Sequence, residues 1–257
     1  MCSFVKPQKA RNENYKWEKN NAMKITTLLF DLDGTLLPMD QDTFAKAYVT
    51  GLSKTAGNLE YEPMSFAAAV MKGTEAMVKN NGEKTNEAVF WNELVKMYGK
   101  SVMDDYHMFD EFYETDFQKT KDVCGFEPKA EKLIKLAKEK GFRLALATNP
   151  LFPKTATMSR IRWAGLNPDD FEIFTTYENS NYCKPNLDYY REILNRMNVC
   201  PEECLMIGND VSEDMIASKL GMRVFLLTDC LINKHNEDIS IYPNGDFDAL
   251  FKFIETL

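Results

Sequence analysis

The chain has 257 residues, of which 44% are hydrophobic and 27% charged, with a formal net charge of −8. That composition supports a buried core and excludes wholesale disorder, and the acidic balance excludes a nucleic-acid or anionic-membrane surface. No run approaches the ~18–20 apolar residues of a membrane span, and the N-terminus lacks a signal-type apolar stretch, so a cytoplasmic protein without membrane or nucleic-acid partners is expected.

Residues 1–23 are polar and lysine-rich and read as a disordered tail, with Met23 just ahead of the first strand. The run from Ile25 to Phe30 is short, apolar and β-branched, the pattern of a strand buried on both faces of a parallel sheet. It leads directly into Asp31-Leu32-Asp33-Gly34-Thr35. Residues 39–125 change character: apolar side chains recur at helical spacing, as in Phe44, Ala47 and Tyr48, then Phe66, Ala69 and Val70, then Phe90, Leu94 and Val95. Asn80-Asn81-Gly82 and Gly99 break the pattern, so an all-helical insert is expected.

From about residue 126 strands and helices alternate. Helices are expected over 128–140, 154–164, 187–197 and 213–220, and strands over 143–147, 171–175, 204–207 and 223–227. This alternation implies an α/β, Rossmann-like parallel sheet flanked by helices, with right-handed crossovers. The core is therefore 24–38 with 126–257, interrupted by the helical insert, and the joints fall near Leu37–Asp40 and Cys124–Pro128. Cys200 and Cys204 have a spacing found in some zinc sites but lack a companion pair or a nearby histidine, and reduced, mostly packed thiols are the plain expectation.

In such sheets ligands bind at the carboxyl ends of strands, and several chemically suggestive residues fall there. Asp31 and Asp33 are separated by one residue directly after the first strand. Such paired carboxylates repel unless a cation lies between them, and a hard cation such as Mg²⁺ takes carboxylate and phosphate oxygens. Thr148 and Asn149 close the second strand, where a hydroxyl and free amides can hold phosphate oxygens; a helix cap would read the same way. Lys184, before Pro185, can neutralise a phosphoryl group or be an ordinary surface lysine. Asp210 and Asp214 form a second acidic pair after Gly208-Asn209, with capping an alternative for Asp214.

Each signal has a bland explanation, but their order along the chain does not. Asp31-Leu32-Asp33-Gly34-Thr35, Thr148, Lys184 and Gly208-Asn209-Asp210 to Asp214 resemble, in sequence, the four motifs of the haloacid dehalogenase superfamily of phosphohydrolases. The resemblance covers about residues 24–230 and implies a parallel-sheet core with a helical cap inserted between the first and second motifs. It implies Asp31 as nucleophile and metal ligand, and Asp33 as the acid and base that also offers its main-chain carbonyl to the metal. Thr148 and the Asn149 amide would hold the phosphoryl group, Lys184 would neutralise it, and Asp210 and Asp214 would bind Mg²⁺. The implied reaction is Mg²⁺-dependent hydrolysis of a small phosphorylated metabolite through an aspartyl-phosphate. Many members have Gly-Asp where this chain has Gly208-Asn209, which leaves open whether Asn209 or Asp210 takes the metal position.

A phosphomutase acting on a sugar phosphate would use the same residues, and a non-catalytic phosphate-binding module is the alternative from another class. The second motif-one aspartate, Asp33, argues against a dehalogenase. The aromatic residues of the insert, Tyr48, Phe66, Trp91 and Tyr106 among them, read as core, with His107 a candidate substrate contact. Substrate and oligomeric state are not readable from the sequence.

Overall fold

A computed structural model describes residues 24–257, so the tail expected over 1–23 lies outside the described residues. The centre of the fold is β1, Thr27–Phe30, whose four residues are all buried. It lies between β2, Arg143–Leu146, and β4, Cys204–Gly208, pairing in parallel with both. With β3 (Ile173–Phe174), β5 (Arg223–Leu227) and β6 (Asn244–Gly245) the sheet is six-stranded and parallel, in the order β3-β2-β1-β4-β5-β6.

Alternation along each strand sends successive side chains to opposite faces. Leu28, Phe30, Leu144, Leu146 and Ile207 join one hydrophobic cluster, while Leu29, Ala145, Met206 and Leu226 join the other. The first face is covered by α5 (Ala130–Glu139), α6 (Lys154–Trp163) and α8 (Phe247–Thr256), through residues such as Leu133, Ile161 and Leu250. The second is covered by α7 (Leu187–Met197), through Tyr190 and Ile193. Fully burying such a side chain contributes ~1.5–3 kcal/mol, so these central strands anchor the fold.

The insert is helical, as expected: α1 (Gln41–Asn58), α2 (Pro63–Val78), α3 (Asn86–Tyr98) and α4 (Tyr106–Glu114), with 3₁₀ segments at Lys100–Met103 and Asp116–Val123. Its two connections to the sheet run side by side. Met39 bridges Cys124 in antiparallel fashion, and the Gly125 amide donates to the Pro38 carbonyl at 2.7 Å. A Cβ at Gly125 would stand 3.0 Å from the Pro38 side chain, which explains a glycine there. A second junction lies at the start of α3. Main-chain amides of Asn86 and Glu87 donate to the carbonyls of Ser180 and Tyr177 at 2.9 Å each. The buried Asn86 side chain donates to the carbonyls of Pro150 (3.2 Å) and Tyr182 (3.3 Å).

Two expectations change. The segment after β4 is not an α-helix over 213–220 but a 3₁₀ turn over Met215–Leu220, because Asp214 folds back onto Asp210 before the helix can start. The chain beyond residue 227, where no strand or helix was expected, supplies β6 and α8; the apolar face of α8, Phe247, Leu250 and Ile254, is buried. Among the described residues, no helix is long and apolar enough to cross a membrane. Four cysteines, Cys124, Cys183, Cys204 and Cys230, are free thiols.

Candidate active site

The sheet order reverses between β1 and β4, and at such a switch point the carboxyl ends of the two strands open a crevice. Asp31 continues β1, its amide donating to the Ile207 carbonyl of β4 at 2.8 Å. Gly34 (φ +87°) turns the chain away, and a Cβ there would lie 2.3 Å from the Asn209 side-chain nitrogen. Glycine is thus required both by the backbone angle and by the closeness of β4.

Lys184 connects the site. Its buried ammonium donates to Asp31 Oδ1 at 2.8 Å and to Asp214 Oδ1 at 2.6 Å. Burial alone would lower the lysine's pKa, but Asp214 and Asp31 hold it well above the ordinary value, so the side chain stays cationic. The other Asp214 oxygen accepts from the Asp210 amide at 3.0 Å. Asp31 Oδ2 accepts from the Thr35 hydroxyl at 3.1 Å.

Asp33 turns the other way. It pairs with Arg160 of α6, a fully buried arginine whose guanidinium carbon sits 4.4 Å above the Phe152 ring. Burial raises the Asp33 carboxyl above the ordinary carboxylate range, Arg160 pulls it back down, and Asp31 raises it further. Asp33 Oδ1 is buried without a hydrogen-bond partner, and so is the Thr148 hydroxyl. The Thr148 carbonyl, in contrast, accepts from Thr175 (2.6 Å) and Tyr189 (2.8 Å), which fixes the end of β2. Asn149 links two loops: its oxygen accepts from the Lys184 amide at 3.2 Å and its nitrogen donates to Glu213 at 3.0 Å.

Asn209 and Asp210 of the fourth motif make different hydrogen bonds. Asn209 is a brace, with its oxygen 3.2 Å from the Thr35 hydroxyl and its nitrogen donating to the Cys230 carbonyl at 2.7 Å. Asp210 Oδ1 accepts from the Ser212 and Glu213 amides, at 2.8 and 2.9 Å. No hydrogen bond is made to its Oδ2 by the described residues, so this oxygen can meet a cation. In the expected metal set of Asp31, Asp33, Asp210 and Asp214, Asp33 enters through its main-chain carbonyl and not its carboxylate. Among the described residues no group of three or more His, Cys, Asp or Glu side chains is arranged to hold a metal. Asp33 pairs with Arg160, and Asp31 and Asp214 both pair with Lys184. Asp31 and Asp210 are carboxylates on adjacent strand ends, and Mg²⁺ commonly binds one or two carboxylates plus substrate phosphate and water.

Sequence reasoning missed Arg160, Glu213 and Asn86. The first left a trace: Arg160 shares the buried face of α6 with Ala156, Thr157 and Trp163, an odd place for an arginine without a partner. Of the insert aromatics, Tyr48, Phe66 and Trp91 face a cavity beside Asp33, whereas Tyr106 donates to Glu87 at 2.8 Å and His107 is exposed, away from that cavity.

Comparison with known proteins agrees with this arrangement. The sequence pattern of the haloacid dehalogenase-like hydrolases matches residues 25–220. A phosphoglycolate phosphatase of Nitrosospira multiformis is 25% identical over 229 residues, 89% of this chain and 92% of that one. Among solved structures, a 2-haloacid dehalogenase from Pseudomonas syringae pv. Tomato DC3000 superimposes with a TM-score of 0.61 at 19% identity, covering 90% of this chain and 98% of the other. A haloacid dehalogenase-type phosphatase from Thermococcus onnurineus gives 0.56 at 18% identity, with coverage of 90% and 98%.

Proposed function

We propose, from the premise that this chain belongs to the haloacid dehalogenase-like hydrolases, that it is a Mg²⁺-dependent phosphatase which cleaves a small phosphomonoester through an aspartyl-phosphate on Asp31. The observation that carries the reading is the buried Lys184 ammonium, 2.8 Å from Asp31 and next to the strand end that presents the unpartnered Thr148 hydroxyl. A buried hydroxyl without a partner costs ~1–3 kcal/mol, which a phosphate oxygen would recover on binding.

In this reading Asp31 attacks phosphorus as the bond to the leaving oxygen breaks. Lys184 orients Asp31 and, with Thr148 and the Asn149 amide, holds the oxygens of the transferring group. Asp33 donates a proton to the leaving oxygen. It then takes a proton from the water that attacks the aspartyl-phosphate and restores Asp31. The raised carboxyl of Asp33 supports the acid half of this role, and its free Oδ1 is the atom that would carry the proton. Arg160 acts through Asp33 as a positioning residue, and Asp214 acts through Lys184. Mg²⁺ fits an all-oxygen set of the Asp31 and Asp210 carboxylates with the Asp33 main-chain carbonyl, and when bound would neutralise charge on the transferring group. Residues 39–125 form a cap over a core of 24–38 and 126–257, a division supported by the paired connections at Met39–Cys124 and Pro38–Gly125.

The test is phosphate release from a generic aryl phosphate, with Mg²⁺ or with chelator, by wild type and Asp31→Asn. Release that needs the metal and disappears in Asp31→Asn is expected. Release that persists in Asp31→Asn would remove Asp31 from the mechanism. A sugar phosphate returned as its isomer without free phosphate would make the protein a mutase.

A further inference from the structure

A cavity of about 260 Å³ opens beneath the helical insert, with Asp33, Asn149 and Glu213 in its wall at the reaction site. The rest of the wall is almost wholly apolar and about half of it is rings, among them Phe44, Tyr48, Phe66, Trp91, Phe109 and Phe152. These belong to α1, α2, α3, α4 and the loop after β2, so several elements converge to build one aromatic chamber. The volume exceeds the ~150 Å³ of a dry cavity known to admit benzene.

The charge of the wall is as informative as its shape. Among the described residues no lysine, arginine or histidine lines the cavity, and its two carboxylic acids are Asp33 and Glu213. Among the described residues the two nearby cations lie outside the chamber wall and are paired with acids of the reaction site. Arg160 lies against the Phe152 ring and pairs with Asp33, and Lys184 pairs with Asp31 and Asp214. A carboxylate or second phosphate on the leaving group would be stripped of water against the negative faces of aromatic rings and set beside two acids. A neutral aromatic group would bury its surface against the same rings at no such cost.

We infer that the substrate is a phosphomonoester whose leaving alcohol is uncharged and carries an aromatic or equally bulky apolar group, seated in this chamber. The inference rests on the phosphatase reading and narrows it. It sets this chain apart from its relative named for phosphoglycolate, whose substrate carries a carboxylate.

The test uses the full-length protein with Mg²⁺ and compares phosphate release from 1-naphthyl phosphate, 2-phosphoglycolate and a sugar bisphosphate. The kcat/KM for 1-naphthyl phosphate is expected to exceed the other two by at least about 100-fold, the scale set by leaving a buried charge unpaired. An equal or higher value for either anionic substrate overturns the inference. Calorimetric titration with 1-naphthol, which has no phosphate to lose, reads the chamber whether or not the protein turns anything over. Wild type is expected to bind it, and Val49→Phe, which fills the chamber from the half-buried side of α1, to weaken it by about tenfold or more. Absence of 1-naphthol binding to wild type, or undiminished binding to Val49→Phe, overturns the inference independently of the phosphatase reading.

Discussion

Replacing Thr148 with valine should make the protein more stable and less active. The side chain is buried and its hydroxyl has no hydrogen-bond partner, while its main-chain carbonyl is held by Thr175 and Tyr189. Valine has nearly the same shape and leaves those main-chain bonds intact, so the change removes an unsatisfied polar atom and little else. The unmet hydroxyl costs ~1–3 kcal/mol. In a domain of this size each kcal/mol moves the melting temperature by ~2 °C, so Thr148→Val should melt about 2–6 °C higher without ligand. With substrate the sign reverses. A hydrogen bond to a charged phosphate contributes ~1.5–3 kcal/mol, so kcat/KM should fall by about 10- to 150-fold. Thermal denaturation in the absence of phosphate and phosphate release under kcat/KM conditions measure the two effects separately. A variant that melts lower than wild type, or that keeps full kcat/KM, would refute the idea that this hydroxyl is held in reserve for substrate.

The other groups at the site give three further expectations. Arg160→Met removes the cation paired with Asp33, whose side chain is 20% exposed. Without that cation nothing from Arg160 holds the Asp33 carboxyl down, so the alkaline limb of kcat/KM should move to higher pH. Arg160→Lys should keep it near wild type, and an unmoved limb in Arg160→Met would exclude the positioning role. Lys184→Met strands Asp31 and Asp214 together without a cation. A loss of ~3–5 kcal/mol, or about 6–10 °C, is expected at neutral pH and should shrink in acid as the carboxyls protonate; a melting temperature within 2 °C of wild type contradicts it. Burial raises the Glu213 carboxyl from 4.5 to about 6. A group raised on folding gives its full stability below its unfolded pKa and loses it as pH rises through the folded one. Wild type should therefore lose up to about 2 kcal/mol between pH 4.5 and 6. Glu213→Gln, which can still accept from Asn149, should not lose it, so melting curves of the two in chelator should coincide near pH 4 and separate above pH 6; curves that stay parallel would exclude this titration.

The sequence makes the sheet core legible because parallel strands buried on both faces read as short apolar runs, and β1, β2, β4 and β5 all show them. It hides β6 and overstates the strand expected over 171–175, because edge pairing there takes only two residues, Asn244–Gly245 and Ile173–Phe174. The residues expected at strand ends do come together: Lys184 meets Asp31 and Asp214, and Asn149 meets the Lys184 amide. Which way a side chain turns is not written in spacing. Asp31 and Asp33 face different cations because one follows β1 toward Lys184 and the other meets Arg160, a partner 127 positions away. Asn209 was ambiguous for the same reason, since only the approach of β4 to Gly34 shows that its amide is already engaged.

The contact at the start of α3 has a consequence for timing. The insert is joined to the sheet not only where the chain crosses at Met39 and Cys124 but also through four hydrogen bonds from Asn86 and Glu87 to main-chain carbonyls at 150, 177, 180 and 182. At ~0.5–1.5 kcal/mol apiece these favour the joined form by about 2–6 kcal/mol, leaving it parted between about one part in thirty and about one in twenty thousand of the time. A substrate that must wait for such an excursion would associate far below the diffusion limit, however well the chamber suits it. Loosening Asn86 would then speed entry and exit together, so the strength of this one attachment would govern how often the enzyme is available for a turnover.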